Sequence, residues 1–416
     1  MSSNAKKGRR SGATFDDYTF LNRWGLTFLG IWRLNDGRRP RTALRQLHVA
    51  ALFAAMTLLL IPQWLDLYVL RGNIDANAET FVLNVFTLTA VLKLYCFHRA
   101  GDTFEKVLLD MESNWRQVMR HHDESTKKTS RRLEGHARIL LATAGKGFDY
   151  TRRYGLLMYS TACMYFVSPF LGMQKDGLRA RMYPFFGWYY FDRDSDLYYG
   201  LFYLSQVVIG IVVGTCNYSM DSIFFVAIYH SCAQFRIIQY DVERIGADEM
   251  ELDHDRATTK RKLLRLIVKH QKEIRSAERL ETMFNAASMQ QLLVSCIIIC
   301  VIGFKLIIAL NDGGFEVLVY VAFMVIALMQ IFLYCRPGDE LITQSLAVGY
   351  AAWQSQWTNL GTESISKLAT IIQRSQRPMR IAAGNVYVLS LPNFTMIIKT
   401  SMSFLSLLRA IYIKSD

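Results

Sequence analysis

Six small hydroxyls crowd the last apolar stretch of this chain: Ser390, Thr395, Thr400, Ser401, Ser403 and Ser406, within NVYVLSLPNFTMIIKTSMSFLSLLRAIYI (385–413). Thr400, Ser403, Leu407 and Ile411 recur at helical spacing, so one helix face carries hydroxyls that give way to aliphatics near the C-terminus. Two readings fit that face. Small residues let membrane helices approach closely and hydrogen-bond to one another. The same hydroxyls would touch water and ions in a pore, with Leu407 and Ile411 as an apolar constriction. Spacing alone does not choose between them.

Other reactive groups are few. Asp221 lies in the long apolar run 197–235, and an acid inside a membrane is a functional candidate by default. Here the run exceeds one bilayer thickness, which puts Asp221 near or below the inner interface, where a structural role is the simpler reading. Seven cysteines (Cys96, Cys163, Cys216, Cys232, Cys296, Cys300, Cys335) lie in or beside apolar stretches. Cys296 and Cys300 share a helix face, but no histidine supports a metal site there, and the seven read as free, mostly buried thiols. The sequence holds no P-loop, no G-x-S-x-G and no histidine–carboxylate metal motif, so neither an enzyme nor a bound metal or cofactor is expected.

The elements that must carry these residues are membrane spans. Of 416 residues 51% are hydrophobic, and they are bunched into long runs between charged loops. The formal charge of +13 would suit a nucleic-acid partner, but the basic residues sit in alternate loops, which is a topology signal. The N-terminus is polar and basic with no short apolar core and cleavage site, so no cleavable signal peptide is expected. Spans are placed at 43–68, 80–97, 154–173, within 197–235, and at 283–310, 317–334 and 385–413. Five arginines lie before or at the very start of the first span (Arg33, Arg38, Arg39, Arg41, Arg45), which puts the N-terminus in the cytoplasm and, after seven spans, the C-terminus outside. Lys93 is expected to snorkel to the inner end of the second span. The fold class is therefore an all-α, seven-span membrane protein.

Between the spans, residues 15–32 read either as an amphipathic helix at the inner interface, holding Trp24 and Trp32, or as a soluble helix packed on a cytosolic subdomain. The loop 99–136 is polar and basic. The aromatic outer loop 174–196 reads as interfacial anchoring or as a lid. The charged segment 236–282 reads as a solvated helical extension or as a calmodulin or lipid target. Residues 336–384 are helical in pattern and too polar to span. The sequons at Asn217 and Asn393 fall in apolar stretches, and glycosylation is not expected there.

CRPGDEL, SLAVGYAAWQSQW, LATIIQRSQRPMRIAAG and LSLPNFTMIIKTSMSFLSLLR, in that order over 335–409, resemble the C-terminal pattern of the insect odorant receptors. LGIW (Leu29–Trp32) and the Pro-and-aromatic loop around Tyr183–Trp188 add to the resemblance, and the length and inverted seven-span topology agree over nearly the whole chain. The resemblance implies a subunit of an odorant-gated, non-selective cation channel in the plasma membrane of olfactory sensory neurons. Such subunits form tetramers around a pore lined by the last helix.

On that resemblance the chain divides into a cytosolic tail and amphipathic helix (1–42), a ligand-binding bundle (43–335), cytosolic anchor helices for assembly (336–384) and the pore helix (385–416). The implied pore and gate residues are Thr400, Ser403, Leu407, Ala410 and Ile411, with Arg409 beside them. Facing candidates for a small hydrophobic volatile, chosen by depth and aromatic character, are Phe86, Tyr165, Tyr203, Gln206, Tyr320, Phe323 and Met324. The family's shared co-receptor is longer in its second cytosolic loop, and 236–282 do not match that extension. This chain therefore resembles a ligand-tuning subunit that needs the co-receptor as partner, within membrane lipid. SMSFLSLLRAIY also lacks the Thr-Tyr and Gln-Phe pairs of the related gustatory receptors. A metabotropic seven-span receptor is the leading alternative and predicts an outside N-terminus.

Overall fold

The computed structural model describes residues 13–32, 42–69, 74–123, 127–173, 183–185, 187, 196–246, 256–312 and 315–415. Ten α-helices follow one another: α1 (Phe15–Phe28), α2 (Thr42–Val69), α3 (Ile74–Arg99), α4 (Gly101–Asp123) and α5 (Lys127–Met173), then α6 (Asp196–Glu243), α7 (Arg256–Asp312), α8 (Phe315–Gln354), α9 (Thr362–Ser375) and α10 (Leu391–Ser415). A two-residue antiparallel hairpin, β1 (Ala382–Ala383) with β2 (Tyr387–Val388), precedes α10. Among the described residues four helices, α2, α3, α6 and α7, are both long and apolar enough to cross a membrane, and α5, α8 and α10 are long enough to cross about 30 Å of hydrocarbon at about 1.5 Å per residue. They alternate in direction. Upper is used here for the end where α2 stops at Val69 and α6 starts at Asp196.

α6 is the axis of the bundle, packed against α1, α2, α3, α5, α7 and α8. Its upper part exposes Leu197, Leu201, Leu204, Val208 and Ile211 on one stripe, as a lipid-facing helix does. Below that, every residue from Thr215 to Phe235 is buried. The apolar run is long because its lower half is the core of a second, polar-surfaced layer beneath the membrane zone. That layer is built from the lower halves of α5, α7 and α8 with α1, α4 and α9.

Several expectations change here. The loop 99–136 is helical: α4 buries Phe104, Val107, Leu108, Met111 and Trp115 at i, i+3, i+4, i+7 and i+11, then α5 begins. The charged segment 236–282 is no separate element. It ends α6, lies partly outside the described residues, and forms the first half of the single 57-residue α7. The sixth span runs on unbroken through Pro337 to Gln354.

The last helix starts at Leu391 rather than at 385. Asn385 takes φ 59° beside Gly384 at φ 62°, the left-handed turn that closes the β1–β2 hairpin. Ser390 then faces the first turn, where its Oγ accepts from the Asn393 N–H at 3.4 Å, and Pro392 suits a position that has no intrahelical partner anyway.

α1 shows why LGIW has the residues it has. Thr14 and Asp17 form a reciprocal capping box at its start. At its end the Gly30 N–H donates to Thr27 O at 2.9 Å and the Ile31 N–H to Leu26 O at 2.8 Å, a left-handed cap that needs glycine at φ 71°. Ile31 and Trp32 turn into the core behind it.

In the lower layer, Asp241 of α6 accepts from Arg132 Nε at 2.8 Å and His136 Nε2 at 2.6 Å on α5, and from Lys269 Nζ at 3.4 Å on α7. Burial alone would raise this carboxyl, but the bond from His136 and the Lys269 charge hold it well below the usual carboxylate range. Glu273, also on α7, has a different environment. It is buried with the Ser231 hydroxyl donating at 2.5 Å, and burial pushes its carboxyl up to about 8. The folded chain therefore holds a proton that the unfolded chain releases above its ordinary value of 4.5. The Glu273 contribution to stability should fall as pH rises from about 4.5 to about 8, while buried His230 and His270, each held down to about 4, add stability as pH rises toward 6.5. Thermal midpoints of the solubilised chain at stepped pH test this, and the margin of the wild type over Glu273→Gln should fall across that window. A margin over Glu273→Gln that stays constant or rises across the window would refute the assignment.

Candidate functional site

The upper candidates fall into two groups. Tyr203 and Gln206 of α6 join Tyr165 of α5 through the segment 183–185, which folds down between the two helices. The Tyr203 hydroxyl donates to Phe166 O at 2.5 Å, and Gln206 Oε1 accepts the Phe185 N–H at 3.0 Å. The Phe185 ring lies 6.3 Å from that of Tyr165, and Tyr183 lies 5.1 Å from Tyr199 and 5.3 Å from Phe202. Tyr183 and Phe185 are buried, so this part of the aromatic loop is a lid on α5 and α6 and not an interfacial anchor. Trp188 lies outside the described residues. Gln206 Nε2 is buried with no hydrogen-bond partner among the described residues.

Phe86 is half-buried on α3 with its carbonyl accepting from Asn217 Nδ2 at 3.4 Å, which turns this part of α3 toward α6. Tyr320 and Phe323 are half-buried and Met324 is buried, all on the α8 surface that packs on the core. The structure thus brings Tyr165, Tyr203 and Gln206 together, with Phe86 on α3 and Tyr320, Phe323 and Met324 on α8.

Directly below is a feature that the sequence did not reveal. Lys93 does not snorkel. Its side chain is fully buried and points inward, with Nζ 2.5 Å from Asp221 Oδ1 and 2.6 Å from Gln291 Oε1. The Tyr154 hydroxyl donates to Asp221 Oδ2 at 2.7 Å and the Tyr334 hydroxyl to Oδ1. Gln330 Nε2 reaches Tyr154 at 3.4 Å, and Gln291 Nε2 donates to Ser295 Oγ at 3.1 Å. One carboxylate therefore ties α3, α5, α6 and α8 together, and Lys93 adds α7 through Gln291. Phe224 stacks on Tyr334 at 4.9 Å and seals the network from below. Charges taken so far from water persist only when paired and hydrogen-bonded. Asp221 is neither a lone acid nor a surface one. The usable signal was a second charge of opposite sign, Lys93, in an otherwise apolar span.

From this node the chain leads to the last helix. Tyr334 is followed by CRPGDEL, in which Cys335 is buried and Gly338 lies against Leu389 of the segment before α10. Asp339 Oδ1 accepts the Leu391 N–H at 3.2 Å, capping the first turn of α10. Phe332 and Phe394 meet at 5.6 Å. α10 packs through Ile397, Ser401 and Leu405, the last lying over Gly303 of α7, and leaves Thr400 and Ser403 exposed. Leu407, Ala410 and Ile411 follow on the same helix, and their side chains lie outside the described residues.

A family model described as 7tm Odorant receptor matches residues 73–402. Odorant receptor 13a of Drosophila melanogaster is 28% identical over 235 residues, 54% of this chain and 56% of that protein. Odorant receptor 9a of the same species is 24% identical over 269 residues, 63% and 64% of the two chains. The chain thus spans between about half and two thirds of the length of these relatives. Among solved structures, the insect olfactory receptor OR5 from Machilis hrabei superposes on 94% of this chain and 99% of that one, with a TM-score of 0.74 at 17% identity. The same receptor in complex with eugenol matches over 95% and 100%, again at 0.74. At that identity the likeness establishes the seven-helix fold.

Proposed function

This chain belongs to the 7tm odorant receptor family, and we propose that it is the odorant-binding, tuning subunit of a heteromeric, odorant-gated, non-selective cation channel. Its N-terminus is cytoplasmic and its C-terminus outside, following the basic flank of α2. The partner is the family's co-receptor, joined chiefly through the anchor helices at 336–384, in the plasma membrane of olfactory sensory neurons. The ligand is a small hydrophobic volatile held in the upper bundle by Phe86, Tyr165, Tyr203, Tyr320, Phe323 and Met324. Gln206 Nε2, which has no partner among the described residues, supplies direction as a donor. The related receptor solved with eugenol points to the same ligand class.

The observation that carries this reading is the two-sided character of α10. One side is packed on α7 and α8, while Thr400 and Ser403 remain uncovered, as on a helix that lines a pore shared with other subunits. Odorant binding favours a bundle geometry in which α8 carries the start of α10 outward. The coupling free energy comes from tighter binding to that open state. Leu407, Ala410 and Ile411 form the constriction, and Arg409 turns toward a neighbouring subunit or the lipid interface.

Whole-cell current from cells expressing this chain, the co-receptor, or both, against a panel of volatiles, tests the proposal. Fast odour-evoked cation current should appear only in paired cells and persist when G-protein signalling is blocked. Loss under that block would overturn the channel reading in favour of a metabotropic receptor. Current from this chain alone would overturn the tuning-subunit reading. In paired cells Leu407→Trp should change current amplitude at least tenfold or alter ion selectivity, and an unchanged current would remove Leu407 from the gate.

A further inference from the structure

α1 has one face packed on α6 and another that the described residues leave largely uncovered. Asn22 Nδ2 donates to Ser222 Oγ at 2.8 Å, Gly25 lies against Ser219, and Leu26 and Leu29 are fully buried. On the opposite face Phe20, Trp24 and Phe28 are exposed at i, i+4 and i+8, with Trp24 stacked on Phe28 at 6.3 Å. Together with Arg23 and Thr27 they line an open groove of about 430 Å³. We propose that this groove is a binding site for an anionic phospholipid of the leaflet on the α1 side. An acyl chain lies along Phe20, Trp24 and Phe28, and the phosphate meets Arg23.

Depth supports a lipid occupant. α1 does not lie flat beneath the bundle; it climbs α6, from Phe15 and Thr19 beside Val226, His230 and Ala233 to Gly25 beside Ser219 and Thr215. At about 1.5 Å per residue, Thr215 is about 28 Å below the start of α6 at Asp196 and Ser222 about 39 Å below. A hydrocarbon layer of about 30 Å therefore ends near Gly25, and Asn22 and Arg23 fall in the headgroup layer. Trp24 sits between them, at the interface that suits an indole.

Continuity and charge support the same occupant. The Phe28 ring lies 6.4 Å from His48 of α2, whose Nε2–H donates to Phe28 O at 2.7 Å. The exposed aromatic face thus runs on into the exposed Leu44, Leu47 and Leu58 of a membrane-spanning helix. On its other flank Phe20 meets Phe148 of α5 at 5.8 Å, between the exposed Lys146 and the exposed Arg152 and Arg153. Arg45 lies beside Gly30. The nearby acids are partnered: Asp16 holds one arm of Arg23 at 2.9 Å, Asp149 faces Arg152 at 3.6 Å, and Asp17 belongs to the capping box. Among the described residues the Arg23 fork keeps donors free for a phosphate, and clustered arginines at a membrane face favour anionic lipid. Of the two tryptophans that the sequence put at the interface, Trp24 fits and Trp32, buried behind Gly30, does not.

The experiment is tryptophan quenching of the full chain in liposomes by brominated phosphatidylglycerol or brominated phosphatidylcholine at equal mole fraction. The Trp24 share is read as the difference from Trp24→Phe. That share should be quenched at least twofold more by the anionic lipid. The preference should fall to parity in Arg23→Gln, persist in Arg23→Lys and rise in Asp16→Asn, which frees the second arm of Arg23. Asp16→Asn changes only a surface carboxylate, so it tests the site even where Arg23→Gln fails to fold. No quenching by either lipid, equal quenching by both, or a preference indifferent to Asp16→Asn or Arg23→Gln would overturn the site. So would competition by millimolar inorganic phosphate, which would make it a phosphate site and not a lipid one. The readout involves no current and so stands apart from the channel proposal; only the naming of the leaflet as cytoplasmic depends on that orientation.

Discussion

Asp221→Leu is expected to deplete the folded, membrane-inserted protein more than any other single change. It leaves the Lys93 ammonium buried with Gln291 as its remaining partner and removes the acceptor of both Tyr154 and Tyr334. Breaking a buried ion pair from one side costs about 3–5 kcal/mol, a large part of the roughly 5–15 kcal/mol that holds a folded domain. Surface-expressed fraction and the thermal midpoint of the solubilised chain should both drop sharply. The pair itself need not stabilise the bundle. Replacing both charges by apolar groups of similar size is often neutral, so Lys93→Met with Asp221→Leu should recover most of the loss, short of about 1–3 kcal/mol for the orphaned tyrosine hydroxyls. If Asp221→Leu alone left expression and midpoint unchanged, the ion pair would not exist as described. The double variant then separates two roles. Should it fold and respond to odour normally, the network only holds five helices together. Should it fold and lose the odour-evoked current, the network transmits, because α6 and α8 are bound at this node just above the segment that leads into α10.

How far the sequence could go depends on what each residue's environment encodes locally. Spans are local, so their ends near Val69 and Arg99 and the unbroken length of α6 follow from residue type and spacing, whereas the first helix, read through 15–32, stops at Phe28 before the left-handed Gly30. Hydropathy, by contrast, reports that a residue avoids water and not what replaces it. The run from Leu197 to Phe235 faces lipid above Thr215 and protein below it with no change in composition. Pairing at long range is silent for the same reason. Lys93 and Asp221 are 128 positions apart, and each alone reads as a charge near a helix end that can reach water. α4 was legible but passed over, since its charges made a loop of 99–136 although Phe104, Leu108, Met111 and Trp115 keep helical spacing. Trp24 and Trp32 show the limit from the other side: eight residues apart, they differ only in that Gly30 turns the chain between them.

Gly338→Ala tests the joint between the bundle and the last helix. A Cβ there would lie 2.4 Å from the Leu389 carbonyl oxygen and 2.9 Å from Leu389 Cβ, and the first of these is backbone that cannot rotate away. Either α8 or the hairpin must move. Overpacking of this kind costs about 1–3 kcal/mol. The displaced segment is the one that places Leu391, whose N–H is capped by Asp339, so the shift would reach the first turn of α10. A lowered thermal midpoint together with a reduced odour-evoked current in co-receptor cells is expected. Gly145→Ala, on α5 with no described residue within 4 Å of the new methyl, is the matched control. It should be neutral or stabilising by up to about 1 kcal/mol, since alanine is the better helix former. Asp339→Ala removes the cap for about 1 kcal/mol, and because both changes act on the same few residues, the double variant should fall short of the sum. Strict additivity would mean that Gly338 and Asp339 hold different things. A Gly338→Ala protein indistinguishable from Gly145→Ala would mean that α8 and the start of α10 are not in contact, and the path from the upper bundle to the last helix would have to run through α7, where Leu405 lies over Gly303.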